Sequence, residues 1–530
     1  MNFKKDTNLI LQYIKQRKLR TLLIIFIGII SNILTILIPV SIGKYYQLVF
    51  HLHPRRVRSL KIIPDEYWNT VPKFLIFFLL LIFLRYVFFF FYEFFLRKEA
   101  AIFIKEIKDY LFKHQLFIKH KIYRERGIGK YLLRYSGDIN SLKNLYIKGT
   151  IRVLIDVIMI IIAMLWLYKL NRNGALAILV LSFVFYVVLR QINKKVEHYS
   201  LQKRNKTSGQ LSFVSRSLQS ILNTIALNKQ NIELKKYQKK SSDIRDVSIK
   251  YNRWFVLNKG FISFVQYFIL TVVLYLFYLS TQKGESSGSN LISFILLYIT
   301  ILPVIRRLFM LETVYKLGNI SLNKLNNIIK LEEEKINEGE KLKVHKPSVE
   351  FNHVIFNSAE PINFMARKLS INPLVLPKGV ESMDVILALL RVKEDYQGEI
   401  KINKVNIKKF SRSSLRENIA VASKNLPISG RNVYEAITKY RSKKIKAEVL
   451  GTYDNLKKVF GIHLNFEENI GENGLKLSEL EKEFIALVRG VIQNKPIFIL
   501  DHFELLETIN EEAITNIIRD KNATVIQLLR

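Results

Sequence analysis

Residues 471–507 read GENGLKLSELEKEFIALVRGVIQNKPIFILDHFELLE. The Gly and Asn at its start mark a turn. Leu477-Ser478 then enters a stretch with Phe484, Leu487, Val488 and Val491 at helical spacing. Pro496 ends that helix, since proline cannot continue one. The apolar run Ile497, Phe498, Ile499, Leu500 closes on Asp501, the pattern of a strand buried on both faces of a parallel sheet. A turn, a helix and a buried strand that delivers a carboxylate at its end specify an α/β domain.

N-terminal to this domain the chain is of a different kind. Hydrophobic residues make up 49% of its 530 positions, with 35 Phe. Six apolar segments fall at about 21–42, 74–96, 151–170, 175–193, 261–280 and 291–311. Each nears or exceeds the roughly 20 residues a helix needs to cross the hydrocarbon. The first is long enough to stay in the bilayer rather than be cleaved as a signal peptide. Before it, residues 2–20 set Leu9, Ile10, Tyr13 and Ile14 against Lys15, Arg17, Lys18 and Arg20, as in an amphipathic helix lying on the membrane surface. Basic segments at 97–150 and 191–260 separate the second span from the third and the fourth from the fifth. Their Lys and Arg place both segments and both termini in the cytoplasm, and the chain in the inner membrane. The 43–73 loop, with Arg55, Arg56, Arg58 and Lys61, runs against that bias.

Lys+Arg outnumber Asp+Glu by 82 to 44, a net charge of +38. Beside long apolar spans this points to anionic membrane lipids rather than to nucleic acid. Cysteine is absent, which excludes disulfides, thiol catalysis and Cys-based metal sites. No metal site is expected, and His51 and His53 read as part of a solvated basic loop. Within the spans, Arg85 is either part of a substrate pathway or half of an Arg–carboxylate pair, while Glu93, Asp156 and Arg190 read as structural. Pro303 is expected to kink the sixth span.

The order of motifs in residues 471–507 resembles the ATP-binding-cassette domain of membrane transporters. Six spans with two long cytoplasmic excursions resemble the exporter branch of that family, and the run Gly127 to Asp138, GIGKYLLRYSGD, is similar to one of its membrane-domain motifs. The resemblance implies a half-transporter with a membrane α-helical domain of six transmembrane helices at 1–330, a linker at 331–347, and an α/β P-loop NTPase-like domain at 348–530. Coupling helices are then expected near 119–126 and 219–228.

In this family a Gly-rich loop cradles the phosphates, a Lys reaches them and a Ser or Thr holds Mg²⁺. Gly398-Glu399-Ile400 and Ser414-Leu415-Arg416 fix the register. In it, Gly379 survives, Leu376 and Glu381 stand for glycines, Ser382 for the Lys, and Met383 and Asp384 for the Ser/Thr pair. Carboxylates at 381 and 384 oppose a triphosphate by about 1–4 kcal/mol each, according to the effective dielectric. The adenine-stacking aromatic is replaced near Asn357-Ser358, the Gln by Ser423, the general-base Glu after Asp501 by His502, and the switch His by Arg530. The signature keeps Ser478, but Glu479 and Leu480 replace its glycines. Glu381, Asp384, Glu479 and Glu481 are accordingly expected to face solvent.

These replacements lead to the expectation of no ATPase activity and of no ATP or Mg²⁺ as cofactor. The expected role is a silent subunit of an export complex for a peptide, protein or lipophilic substrate. It would form a homodimer, or a heterodimer with another half-transporter, with secretion-complex proteins as further partners. The alternatives are a membrane scaffold or assembly factor that has lost transport, and an active ATP-driven exporter. For the topology, single cysteines introduced within 119–126 and within 235–240 should resist membrane-impermeant thiol labels in intact cells; labelling of both from outside overturns it.

Overall fold

A computed structural model of the chain describes residues 9–50, 70–126, 131, 133–135, 137–282, 288–343, 346–357, 359–438, 446–507 and 523–529. Arg55, Arg56, Arg58, Lys61, His51, His53, Ser358, Arg530 and half of 127–138 lie outside them. Two compact units result: Met1–Leu116 with Arg126–Leu331, and Phe117–Glu125 with Glu332–Arg530.

The first unit is helical. Among the described residues, six stretches are long and apolar enough to cross a membrane: Lys18–Val49, Val71–Leu116, Gly137–Leu170, Arg172–Gln219, Gln230–Gln282 and Gly288–Ile329. Each contains one expected span. The fifth has 53 residues, roughly 80 Å of helix against about 30 Å of hydrocarbon. Phe83 and Phe90, 61% and 52% exposed, belong to an apolar surface of the kind a bilayer covers. Inside, Phe277, Phe294, Tyr298 and Val265 belong to a core drawn from five of the six stretches. Both expected coupling positions are helical, as the short helices His120–Arg126 and Ile221–Ala226.

The helix Leu9–Gln16 forms, but its apolar stripe is covered by protein. Leu9, Ile10 and Tyr13 are 3% exposed or less. The Tyr13 ring packs on Phe103 and Tyr146, and its hydroxyl donates to Glu99 at 2.8 Å. The expected membrane-surface helix is therefore bolted to Val71–Leu116 through that stripe. Amphipathicity identifies an apolar face and leaves open what covers it.

The charges within the spans are mostly paired. Asp156, 3% exposed, accepts two hydrogen bonds from Arg307 at 2.7 and 2.8 Å. Glu93 pairs with Arg97 and Arg152, and Arg190 is exposed. Arg85 donates to Thr35 Oγ1 at 3.2 Å. Pro303 lies within Gly288–Phe309, and the helical run breaks seven residues later, at Met310, before Leu311–Ile329.

The second unit holds two sheets. β1 (Val349–Ile355) lies between β2 (Ile362–Ala366) and β4 (Gln397–Ile402), with β5 (Val405–Asn406) at the edge, all antiparallel. The turn into β4 needs Gly398, whose φ of +86° and close approach to the His353 carbonyl exclude a side chain. β3 (Ile371–Val375), β8 (Thr524–Leu529), β7 (Ile497–Leu500) and β6 (Ile419–Ala422) form a parallel sheet in that order. β6 and β7 are buried at every residue. Phe484, Ile485 and Val488 of the helix Glu479–Ile492 belong to the core that covers one face, with Phe498 and Val525. Ile499, Ile526, Val385 and Leu389 join Phe351 and Ile400 on the other. Such two-faced burial is why β7 reads as an unbroken apolar run.

Removal of one member of a buried charge pair leaves the other desolvated and unmatched. Asp156→Ala should therefore destabilise the detergent-purified chain by about 2–3 kcal/mol. Adding Arg307→Met should recover much of the loss, as read by thermal unfolding.

Candidate nucleotide-binding site

In a parallel sheet the carboxyl ends of all strands open on one edge, where ligands of such folds bind. β3 runs there into the loop at 376–381, β6 into Ser423 and β7 into Asp501. Topology thus gathers at one edge residues that lie far apart in sequence.

The loop begins where Leu376 N donates to Leu529 O at 3.0 Å. Gly379 follows with φ +87° and no atom within 4 Å of a would-be Cβ. Glu381 is the N-cap of the helix Ser382–Leu389. Ser382, at the expected Lys position, is 6% exposed. Asp384 turns back over the helix start: its Oδ2 accepts from Glu381 N at 3.3 Å and from Asn357 Nδ2 at 3.2 Å. Its Oδ1 accepts from Lys393 Nζ at 2.7 Å. With side chains 13% and 15% exposed, Asp384 and Lys393 form a largely buried pair, so Asp384 does not face solvent as expected. Lys393 also lies 5.8 Å from the centre of the Phe356 ring, next to Asn357 at the end of β1.

At the neighbouring strand ends, Ser423 Oγ donates to Asp501 Oδ2 at 2.5 Å, with both residues 2% exposed or less. Asn425 Nδ2 reaches the same oxygen at 3.4 Å, and His502 N donates to Asp501 Oδ1 at 2.9 Å. Lys424 joins this segment to Glu483 at 2.9 Å, and Glu483 also accepts from Leu505 N at 3.0 Å. The hydrogen bond to Glu483 raises the Lys424 pKa above the ordinary lysine value. Burial lowers that of Arg489, which donates to Pro427 O at 3.2 Å.

Ser478 heads the helix Glu479–Ile492 in a capping box. Its Oγ accepts from Glu481 N at 3.3 Å, and Glu481 returns a carboxylate to Ser478 N at 2.7 Å. Glu481 is thus a cap rather than a free surface carboxylate. Glu479 is 79% exposed, and a hydrogen bond from Lys482 holds its carboxyl below the usual range. The serine-to-Glu spacing of that box is legible in sequence, whereas Lys393, Lys424 and Glu483 carry no motif.

A family model for the ABC transporter transmembrane region matches residues 21–303, more than half of the chain. The chain belongs to this family. It is 24% identical over 436 residues to an ATP-dependent lipid A-core flippase of Haemophilus influenzae, an alignment spanning 78% of this chain and 73% of that protein. A β-(1→2)glucan export ATP-binding/permease protein of Bartonella quintana is 23% identical over 351 residues, 63% of this chain and 58% of that protein. The solved structure of a bacterial Atm1-family ABC exporter with ATP bound superposes with a TM-score of 0.80 at 16% identity, covering 98% of this chain and 91% of that one. The exporter fold and the reading as an exporter-type half-transporter in a membrane hold.

The expectation that the chain is no ATPase is overturned by the relatives named ATP-dependent lipid A-core flippases. Side chains taken one at a time are a partial guide to such a site. Much of the hold on a phosphate comes instead from backbone N–H groups and the start of a helix, which need no particular side chain. At the loop itself a carboxylate lies over the helix start, and Ser382 and Met383 stand at the positions expected for the lysine and the first metal-binding hydroxyl.

Ser423→Ala deprives the buried Asp501 carboxylate of its shortest hydrogen bond. A loss of about 1.5–3 kcal/mol in unfolding free energy is expected, the usual range for a bond to a charged group. Denaturant unfolding followed on the cassette's signal checks it.

Proposed function

We propose that the chain is one half of an exporter pair that moves an amphipathic lipid with an anionic head across the inner membrane. The observation that carries this reading is Arg85. It sits in the middle of an apolar span, bonded to the Thr35 hydroxyl of the neighbouring helix. Among the described residues, the structure gives it no carboxylate. A cation at that depth costs several kcal/mol unless it faces a wet cavity or an anion. The hydroxyl satisfies one donor of a guanidinium that carries five, which leaves the rest for a phosphate or carboxylate head. A lipid substrate is supported by relatives named lipid A-core flippases.

Pairing is supported by Ile221–Ala226, which has no buried residue and exposes Leu222 at 78% and Ile225 at 54%. A short apolar helix at the tip of a long hairpin calls for a partner surface. A second copy, or a related half-transporter, supplies it through its cassette. Both termini then lie on the cytoplasmic side.

Reconstituted in proteoliposomes, the chain with its partner should translocate a fluorescent anionic lipid when ATP is present. Arg85→Ala should slow this about tenfold or more, the factor expected for loss of a charge-assisted contact. Equal rates for the variant remove Arg85 from the pathway, and no translocation with any lipid ends the export reading. A cysteine at Leu222 should crosslink to a cassette cysteine of the second subunit, whether or not nucleotide is added.

A further inference from the structure

We propose that Asp384 is a built-in anion at the phosphate end of the helix Ser382–Leu389, with Lys393 as its counter-ion. A phosphate group then enters this site only by displacing the Asp384 carboxylate.

The start of a helix attracts negative charge, because its first N–H groups are unpaired and its dipole is positive there. In phosphate-binding loops a ligand fills this place. Here the chain fills it. Asp384 Oδ2 accepts from Glu381 N, the amide of the N-cap itself, and from Asn357 Nδ2. Its other oxygen is held by Lys393 Nζ at 2.7 Å, and Lys393 is fixed in turn by Asn357 Oδ1 at 3.2 Å. A free carboxylate would be repelled only weakly by an entering phosphate and would swing into solvent. This one must give up three hydrogen bonds, one of them to an ammonium group that is 15% exposed.

The same geometry shows where the missing positive charge has gone. Ser382 occupies the position of the family's lysine, yet a lysine from beyond the helix, Lys393, reaches over its start. Lys393 also lines a cavity of about 620 Å³, where Lys121, Arg391 and Arg412 stand beside Glu334, Glu394 and Asp395. A phosphate-bearing ligand therefore has room beside Lys393, whose neighbours Arg391 and Arg412 are already paired with Glu394. With the Asp384 charge removed, Lys393 becomes the phosphate's cation. The two residues act as a latch: one carboxylate and one ligand compete for the same ammonium and the same amide.

The test uses the full chain in nanodiscs, with Mg-ATP and tripolyphosphate as separate probes and equilibrium binding as the readout. Asp384→Asn keeps an acceptor for Glu381 N and removes the charge. It should raise affinity for both probes about tenfold or more, the range set by one charge-assisted bond. In that background Lys393→Gln should abolish most of the gain. Lys393→Gln alone leaves Asp384 uncompensated and should weaken whatever binding the unaltered chain shows, which keeps the test decisive if Asp384→Asn melts early. Affinities unchanged by Asp384→Asn in a chain of unchanged melting temperature overturn the latch. So does a gain for Mg-ATP without one for tripolyphosphate, since the effect would then lie at the base. Lipid movement plays no part in the measurement, so its result is independent of the export reading.

Discussion

A buried carboxylate must find a donor, and the rest of this molecule is arranged around that requirement. Taking an ion out of water costs several kcal/mol, which only close, well-aligned partners offset. In the membrane unit Asp156 has Arg307, and Glu99 has Tyr13, Arg17 and Arg20. In the cassette Asp501 has Ser423, Glu483 has Lys424, and Asp384 has Lys393. Each of these contacts joins segments distant in sequence, except that from Asp384 to Lys393. They therefore fix how helices and strands pack, and the large excess of Lys and Arg leaves no shortage of donors.

How much of this was legible depended on whether the signal was local. Hydrocarbon thickness imposes a length on each span, so the six apolar segments announced themselves. Burial on both faces imposes an unbroken apolar run, so 497–500 read as a parallel strand ending at the site. The carboxyl-end rule then brought Ser423 and Asp501 together, as the register implied. The stripe of Leu9, Ile10 and Tyr13 was equally plain, but its partner was not. Phe103 and Tyr146 lie far along the chain, and any apolar surface, lipid included, would have satisfied the pattern.

The cassette site shows the same division more sharply. The letters at 381–384 predicted repulsion of phosphate, and Glu381 does stay exposed. Asp384 departs from the expectation because Lys393, nine residues later, folds back onto the helix start after the turn at 390–392. No spacing rule signals that return, since it depends on where β1 ends and on Asn357 lying beside it. Likewise Glu481 is expected from the signature to face solvent as a free carboxylate, although the Ser478-to-Glu481 spacing is that of a capping box.

The corrected view of the ATPase follows from what a helix start is. Side chains at a phosphate loop adjust affinity, while the backbone makes the site. This chain keeps that backbone: the open left-handed Gly379, the N-cap at 381, and an eight-residue helix anchored by Val385 and Leu389 in the core. Ser382 stands at the position expected for the loop lysine, and Lys393 brings a cation to 2.7 Å from the carboxylate over the same helix start. Local charge is thus redistributed rather than lost. A lysine carried inside the loop meets a phosphate directly. One delivered from outside, and already paired, makes phosphate binding depend on breaking an existing bond, so the occupancy of this loop is set by a competition within the chain.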